Sequence, residues 1–258
     1  MIRFLKGLLA AALLAGAAHS PAAAQVNVSN GSKPTIVLVH GAFADGSSWL
    51  PVIRILEHDG YPVIAVQNPL SSLADDIATT RRVIDAQAGP VVAVGHSYGG
   101  AVITGAAAGS EHVKALVYVA AFAPDANEPV GAFGDRYPTA LGAALRPDAA
   151  GFLYMDRGMF HDLFAADLPA AETQLFAAAQ KPVSASVFGA SVPEAAWRTI
   201  PSWYVVAQQD RAINPDLERF YAQRANAHTT EISGSHVVFI SHAREVARVI
   251  EEAATAGQ

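Results

Sequence analysis

Val91-Val92-Ala93-Val94 runs directly into Gly95-His96-Ser97-Tyr98-Gly99, and the small residues from Gly99 to Gly109 follow. The first four residues read as a buried strand and the last stretch as a helix. Between them lies G-x-S-x-G, in which a serine stands on a turn so tight that its flanking positions must be glycine. Such a turn pushes the hydroxyl out above the carboxyl end of a sheet. Five residues of common type are a weak match by themselves, but their place between strand and helix makes them specific. A plain glycine-rich turn holding phosphate is the competing reading, yet neither G-x-G-x-x-G nor G-x-x-x-x-G-K-[ST] is present here.

Working outward from Ser97, the chain alternates strands and helices. Thr35 to Val39, Tyr61 to Val66 and Val113 to Val119 are β-branched apolar runs of the kind buried on both faces of a parallel sheet. Trp49 to His58 and Leu73 to Gln87 have helical spacing. After a break the pattern resumes with strands at Ser202 to Ala207 and Thr229 to Ile232, and helices at Pro215 to Ala227 and Ser241 to Ala254. The reading is an α/β fold with a mostly parallel sheet of about six strands flanked by helices. The break from about Pro124 to Thr199 is rich in Ala, Phe and Pro and shows no convincing strand. It is too long for a loop and is expected to be an inserted helical cap.

A serine hydroxyl needs a base, and the base needs an orienting acid. Of nine histidines, His236 in Gly234-Ser235-His236 is best placed, directly after the last strand. His96 is expected to turn away from the site. Asp210, which follows the strand ending at Ala207, gives the chain order Ser, Asp, His. Asp125 is its rival, with a helix N-cap as its alternative role. The oxyanion formed during acyl transfer needs N–H donors. The amide of Tyr98 is one candidate, and that of Ala42, in the loop His40-Gly41-Ala42-Phe43, is the other. His40 is expected to be structural.

Composition narrows the function classes. Hydrophobic residues make up 52% of the 258 and charged residues 16%, so an extensive core can form, and the formal charge of −6 offers no basic surface for nucleic acid. Arg3 and Lys6 precede an apolar run from Gly7 to Ala18 and the small-residue stretch Ala22-Ala23-Ala24. That is the pattern of a secretory signal over residues 1–24, too short for a membrane span of about 20 residues. Its removal leaves 15 basic against 23 acidic side chains, a net charge of −8. Residues 25–258 are then expected to form one exported domain, periplasmic or secreted, without membrane affinity. With no cysteine there is no disulfide, thiolate nucleophile or thiolate metal site. The oligomeric state is not legible.

Val39-His40-Gly41-Ala42 with Gly46-Ser47-Ser48-Trp49, the Ser97 turn, the Asp210 strand end and Gly234-Ser235-His236 together resemble the α/β hydrolases related to plant methyl esterases and hydroxynitrile lyases. Bacterial esterases of that group, among them pyrethroid-hydrolysing carboxylesterases, are especially similar. The likeness runs from about Lys33 to Ala254 and is weakest through the cap. It implies the α/β-hydrolase fold, a Ser97–His236–Asp210 triad and a small ester substrate, with no metal or organic cofactor. Hydroxynitrile lyases carry lysine where Val237 stands and threonine where Gly41 stands, so the resemblance sides with esterases. The aspartate-nucleophile hydrolases of the fold are excluded by Ser97. One departure is Ala44-Asp45-Gly46 where the plant enzymes have a His-Gly pair, which weakens transfer of their substrates. A cofactor-free perhydrolase or haloperoxidase uses the same residues, and a non-catalytic ligand-binding role is the remaining alternative. Phe43, Phe122, Phe160, Phe164 and Val237 are the candidates for an apolar substrate pocket, with Phe152, Phe176 and Phe188 also in the cap.

Overall fold

Residues 33–256 are described by the computed structural model; the stretch read as an export signal lies outside them. Six parallel strands form the central sheet: β1 (Thr35–Val39), β2 (Val63–Val66), β3 (Val91–His96), β4 (Val113–Val119), β8 (Ser202–Ala207) and β9 (His228–Ile232). Their spatial order is β2-β1-β3-β4-β8-β9. The chain thus starts near the middle, winds one way to β2, and then returns across β1 to build the other half. β3 is buried at every residue, which is why it is read as an unbroken apolar run rather than an alternation.

Helices cover both faces. α1 (Leu50–His58) packs against α9 (Ala243–Thr255), and α9 lies on β3, β4 and β8. Val246, Val249 and Ile250 of α9 are buried, each stabilising the fold by roughly 1.5–3 kcal/mol through apolar burial. α2 (Leu73–Asp85) and α3 (Tyr98–Ala106) pack together, with α3 against β1 and β3. All nine residues of α3 are buried, which explains its Gly- and Ala-rich composition. α7 (Pro215–Arg224) starts with Asn214 capping the Asp216 amide and proline at its first turn. The expected last helix is divided into α8 (Val238–Ser241) and α9.

Between β4 and β8 the chain differs from the all-helical expectation. It holds α4 (Leu141–Ala144), α5 (Phe160–Phe164) and α6 (Ala170–Ala179), but also three short strands, β5 (Leu145–Pro147), β6 (Phe152–Met155) and β7 (Val183–Ser184). These form a small antiparallel sheet in the order β5-β6-β7. Strands of two to four residues, one containing proline, leave no periodic signal in the sequence. Among the described residues no helix is long and apolar enough to cross a membrane.

Candidate active site

Ser97 joins β3 to α3 with φ 53° and ψ −124°, a conformation costing a non-glycine residue on the order of 1–3 kcal/mol. Its neighbours hold it there. The Ser97 N–H donates to the Val119 carbonyl (3.2 Å), and its carbonyl accepts from the Gly100 (3.0 Å) and Phe122 (3.1 Å) amides. The flanking glycines are required by space: a Cβ at Gly95 would lie 2.5 Å from the Gly99 carbonyl oxygen, and one at Gly99 would lie 2.4 Å from that of Val39.

His236 and Asp210 come together as the sequence predicts. The His236 Nδ1 is 2.5 Å from Asp210 Oδ2, and both side chains are buried. Asp210 Oδ1 accepts from the Ala212 (2.6 Å) and Ile213 (2.9 Å) amides, so the carboxylate is fixed and only Oδ2 faces the imidazole. With its proton held on Nδ1, the ring presents a basic Nε2. Behind Asp210 lies Glu218, fully buried, with Oε2 accepting the Ala207 amide at 2.9 Å. Burial and then the Asp210 charge push the Glu218 carboxyl well above its ordinary value. The rival Asp125 is elsewhere, paired with Arg198 and with the Ala126 amide.

His96 corrects an expectation. It does not turn away: its ring lies 4.7 Å from that of His236, and its Nε2–H donates to the His236 carbonyl at 2.9 Å. The residue next to Ser97 therefore touches His236 directly. Burial, followed by the neighbouring His236, holds the His96 pKa well below the usual value. Strand alternation would have given the face on which His96 lies, but not that a loop 140 residues later folds over it.

The loop after β1 crosses the turn closely, since a Cβ at Gly41 would lie 2.7 Å from that of Ser97. Ala42 and Tyr98 are buried, and among the described residues neither amide N–H finds a protein acceptor. His40 anchors this loop from beneath. Its Nδ1–H donates to the Gly41 carbonyl (2.9 Å) and its Nε2 accepts the Asn68 amide (3.1 Å), a pairing open only to the neutral ring. Burial, aided by the Lys181 charge, lowers its pKa to about 4. The sign follows: the unfolded chain binds a proton near pH 6.5 that the native one refuses until about 4. The stability associated with a neutral His40 is therefore complete above about pH 6.5 and declines towards pH 4, by about 3 kcal/mol in all. The raised carboxyls of Glu218 and Asp76 act in the opposite sense, so the test is differential. Urea unfolding of wild type and His40→Gln at about pH 7.5 and about pH 4.5 should show the variant losing about 2.5 kcal/mol less. Equal losses would contradict the assignment.

A cavity of about 320 Å³ opens against His96, while neither Ser97 nor His236 is among the residues that line it. Of the predicted pocket residues, Phe43, Phe160, Phe164 and Val237 line it, and Phe176 and Phe239 join them. Phe164 also packs its ring 4.7 Å from that of His236. Phe122 does not line it: its amide reaches the Ser97 carbonyl, but its ring packs on Tyr221 at 6.4 Å. Phe152 and Phe188 are likewise absent from the lining. Among the described residues, Asp45 and Glu172 are the charged members of the wall, with no lysine or arginine beside them. Among the described residues no group of three or more His, Cys, Asp or Glu forms a metal site.

Comparison with known proteins bears on the family and the fold. The sequence pattern of the alpha/beta hydrolase family matches residues 36–249. A probable hydrolase from a Phoma species is 25% identical over 247 residues, covering 86% of this chain and 99% of that protein. Among solved structures, a pyrethroid hydrolase from Sphingobium faniae superposes with a TM-score of 0.74 at 22% identity, covering 86% of this chain and 98% of its own. Polyneuridine aldehyde esterase superposes with a TM-score of 0.74 at 17% identity, covering 85% and 98%. At such identities the two structures speak for the fold alone.

Proposed function

Because the chain belongs to the alpha/beta hydrolase family, we propose that it is a serine carboxylesterase acting on apolar carboxylic esters through an acyl-enzyme, with Ser97, His236 and Asp210 as its triad. The observation that carries this reading is the buried 2.5 Å contact between His236 Nδ1 and Asp210 Oδ2, taken together with a serine held at positive φ on a strand-to-helix turn.

In this mechanism His236 Nε2 takes the Ser97 proton as Oγ bonds to the ester carbonyl carbon. The carbonyl π electrons move to oxygen, where the Ala42 and Tyr98 amides receive the negative charge. Collapse breaks the bond to the alcohol oxygen, which leaves with the proton from His236. Water then enters, gives a proton to His236, adds to the acyl carbon and releases the acid, returning the proton to Ser97. Asp210 stays ionised throughout and balances the imidazolium. The aromatic and aliphatic wall of the cavity favours apolar groups, and the carboxylates of Asp45 and Glu172, the charges it holds among the described residues, disfavour anionic ones.

An alkyl p-nitrophenyl phosphonate tests the reading. We expect one equivalent bound per chain, its mass mapped to the peptide containing Ser97, with parallel loss of turnover on p-nitrophenyl esters. Label on another residue, or none in folded protein, would reject the assignment.

A further inference from the structure

The insert between β4 and β8 reaches His236 at two levels. Phe164 packs on its ring, and three residues later Asp167, in the turn between α5 and α6, grips the chain on either side of it. Asp167 Oδ2 accepts the Ser235 amide (2.8 Å) and the Ser241 hydroxyl (2.7 Å), and Oδ1 accepts the Ser235 hydroxyl (2.5 Å). The bonds bracket the base, one residue before it and five after. On the remaining side His96 holds the His236 carbonyl, so the backbone of the base is held by two groups distant in sequence.

We propose that Asp167 is a positioning residue for His236, through which the insert fixes the base against Ser97 and Asp210. The proposal rests on the esterase reading for its kinetic consequences, although the hydrogen bonds stand independently. A carboxylate suits the task for a simple reason. Three donors converge on it, and two acceptor oxygens receive all of them. Asparagine offers one acceptor oxygen and an NH₂ that faces a donor. It can keep the Ser235 amide and reverse one hydroxyl, whereas alanine keeps nothing. The Asp167 carboxyl is matched to this place: burial acts to raise its pKa, but the hydrogen bonds from Ser235 and Ser241 bring it below the ordinary value. The role cannot be replaced from within the loop, because a side chain at Gly234 would lie 2.8 Å from Val238 Cγ2 and 3.1 Å from Asp167 Oδ2.

Asp167→Ala and Asp167→Asn in the full chain provide the test, each first compared with wild type by thermal unfolding. The alanine variant should lose roughly 10–100-fold in kcat on acetate and longer p-nitrophenyl esters alike, as expected when a catalytic group is misplaced by a fraction of an ångström. KM should change by less than about threefold, because the cavity residues are untouched. The asparagine variant should recover part of the loss. A KM effect confined to longer esters, with kcat unchanged, would overturn the proposal and leave Asp167 a strut of the insert only. A second readout separates this from the esterase reading itself. The low-field proton resonance of the His236 Nδ1–H···Asp210 hydrogen bond needs no substrate. Its broadening or loss in folded Asp167→Ala would support positioning even if wild type hydrolysed no ester, and its persistence unchanged would count against it.

Discussion

Replacing Ser97 with alanine is expected to reduce kcat on p-nitrophenyl esters by on the order of 10⁴-fold or more, with KM nearly unchanged. The substitution removes one oxygen atom. The cavity, the Ala42 and Tyr98 amides and the His236–Asp210 pair all remain, so ground-state binding survives while covalent chemistry ends. Alanine tolerates the 53° φ of this position no worse than serine does, and the three backbone hydrogen bonds that hold the turn do not involve the side chain. Thermal stability should therefore stay close to wild type or rise slightly, which separates loss of chemistry from loss of fold. Asp210→Asn is the companion. An asparagine oriented to keep the Ala212 and Ile213 amides on its oxygen would present NH₂ to the ring and favour the wrong tautomer, for a loss of about 10³–10⁴-fold. Steady-state kinetics on both variants decides the matter. A Ser97→Ala protein within tenfold of wild type would place the nucleophile elsewhere.

Gly99→Ala is expected to destabilise the protein by about 3 kcal/mol, against the usual trend of glycine-to-alanine changes in helices. At an ordinary helical position alanine would gain up to about 1 kcal/mol. Here the added methyl would lie 2.4 Å from the Val39 carbonyl oxygen, 2.8 Å from that of His40 and 3.0 Å from the Val39 carbonyl carbon. All three are backbone atoms of a central strand and its exit loop, and none can rotate aside. α3 must move off β1, which also changes the spacing between the Ala42 and Tyr98 amides. A melting temperature lower by roughly 5–10 °C and turnover reduced by about 10²-fold are expected. Gly89→Ala is the control, since a Cβ there meets nothing within 4 Å. Equal behaviour of the two variants in calorimetry would refute the packing argument.

The parts legible in the sequence were those with local causes. β1, β3, β4 and β8 are buried on both faces, so each appears as an apolar run with nearly the observed ends. The Ser97 turn announces itself because sterics dictate its glycines, and Asp210 and His236 follow strands whose ends converge on it. What escaped notice depends on contacts between distant segments. Phe152–Met155 pairs with a three-residue strand containing Pro147 and with a two-residue strand at Val183–Ser184. No window of sequence carries that pairing. Phe122 is expected from the sequence to line the pocket, but its ring packs on Tyr221, 99 positions later, while only its amide reaches the Ser97 carbonyl. His96 reaches His236 across 140 residues and Asp167 reaches Ser235 across 68, distances over which type and spacing say nothing about contact.

The sheet order has an evolutionary corollary. β4 and β8 are parallel, hydrogen-bonded neighbours, Leu116 opposite Ser202 through Val119 opposite Val205, so residues 120–201 leave the carboxyl end of one strand and re-enter at the amino end of the next, about 10 Å back along the sheet and one strand over. A stretch joined to the sheet only at two adjacent strands is a cassette: it can be exchanged, shortened or rebuilt by recombination while the strands beneath keep their register. The aromatic side chains facing the cavity from α5 and α6 travel with it, so a single exchange could change which molecules are admitted. A foreign cassette would also have to supply a carboxylate where Asp167 now stands, which makes the hydrolytic machinery one selective filter on the exchanges that survive.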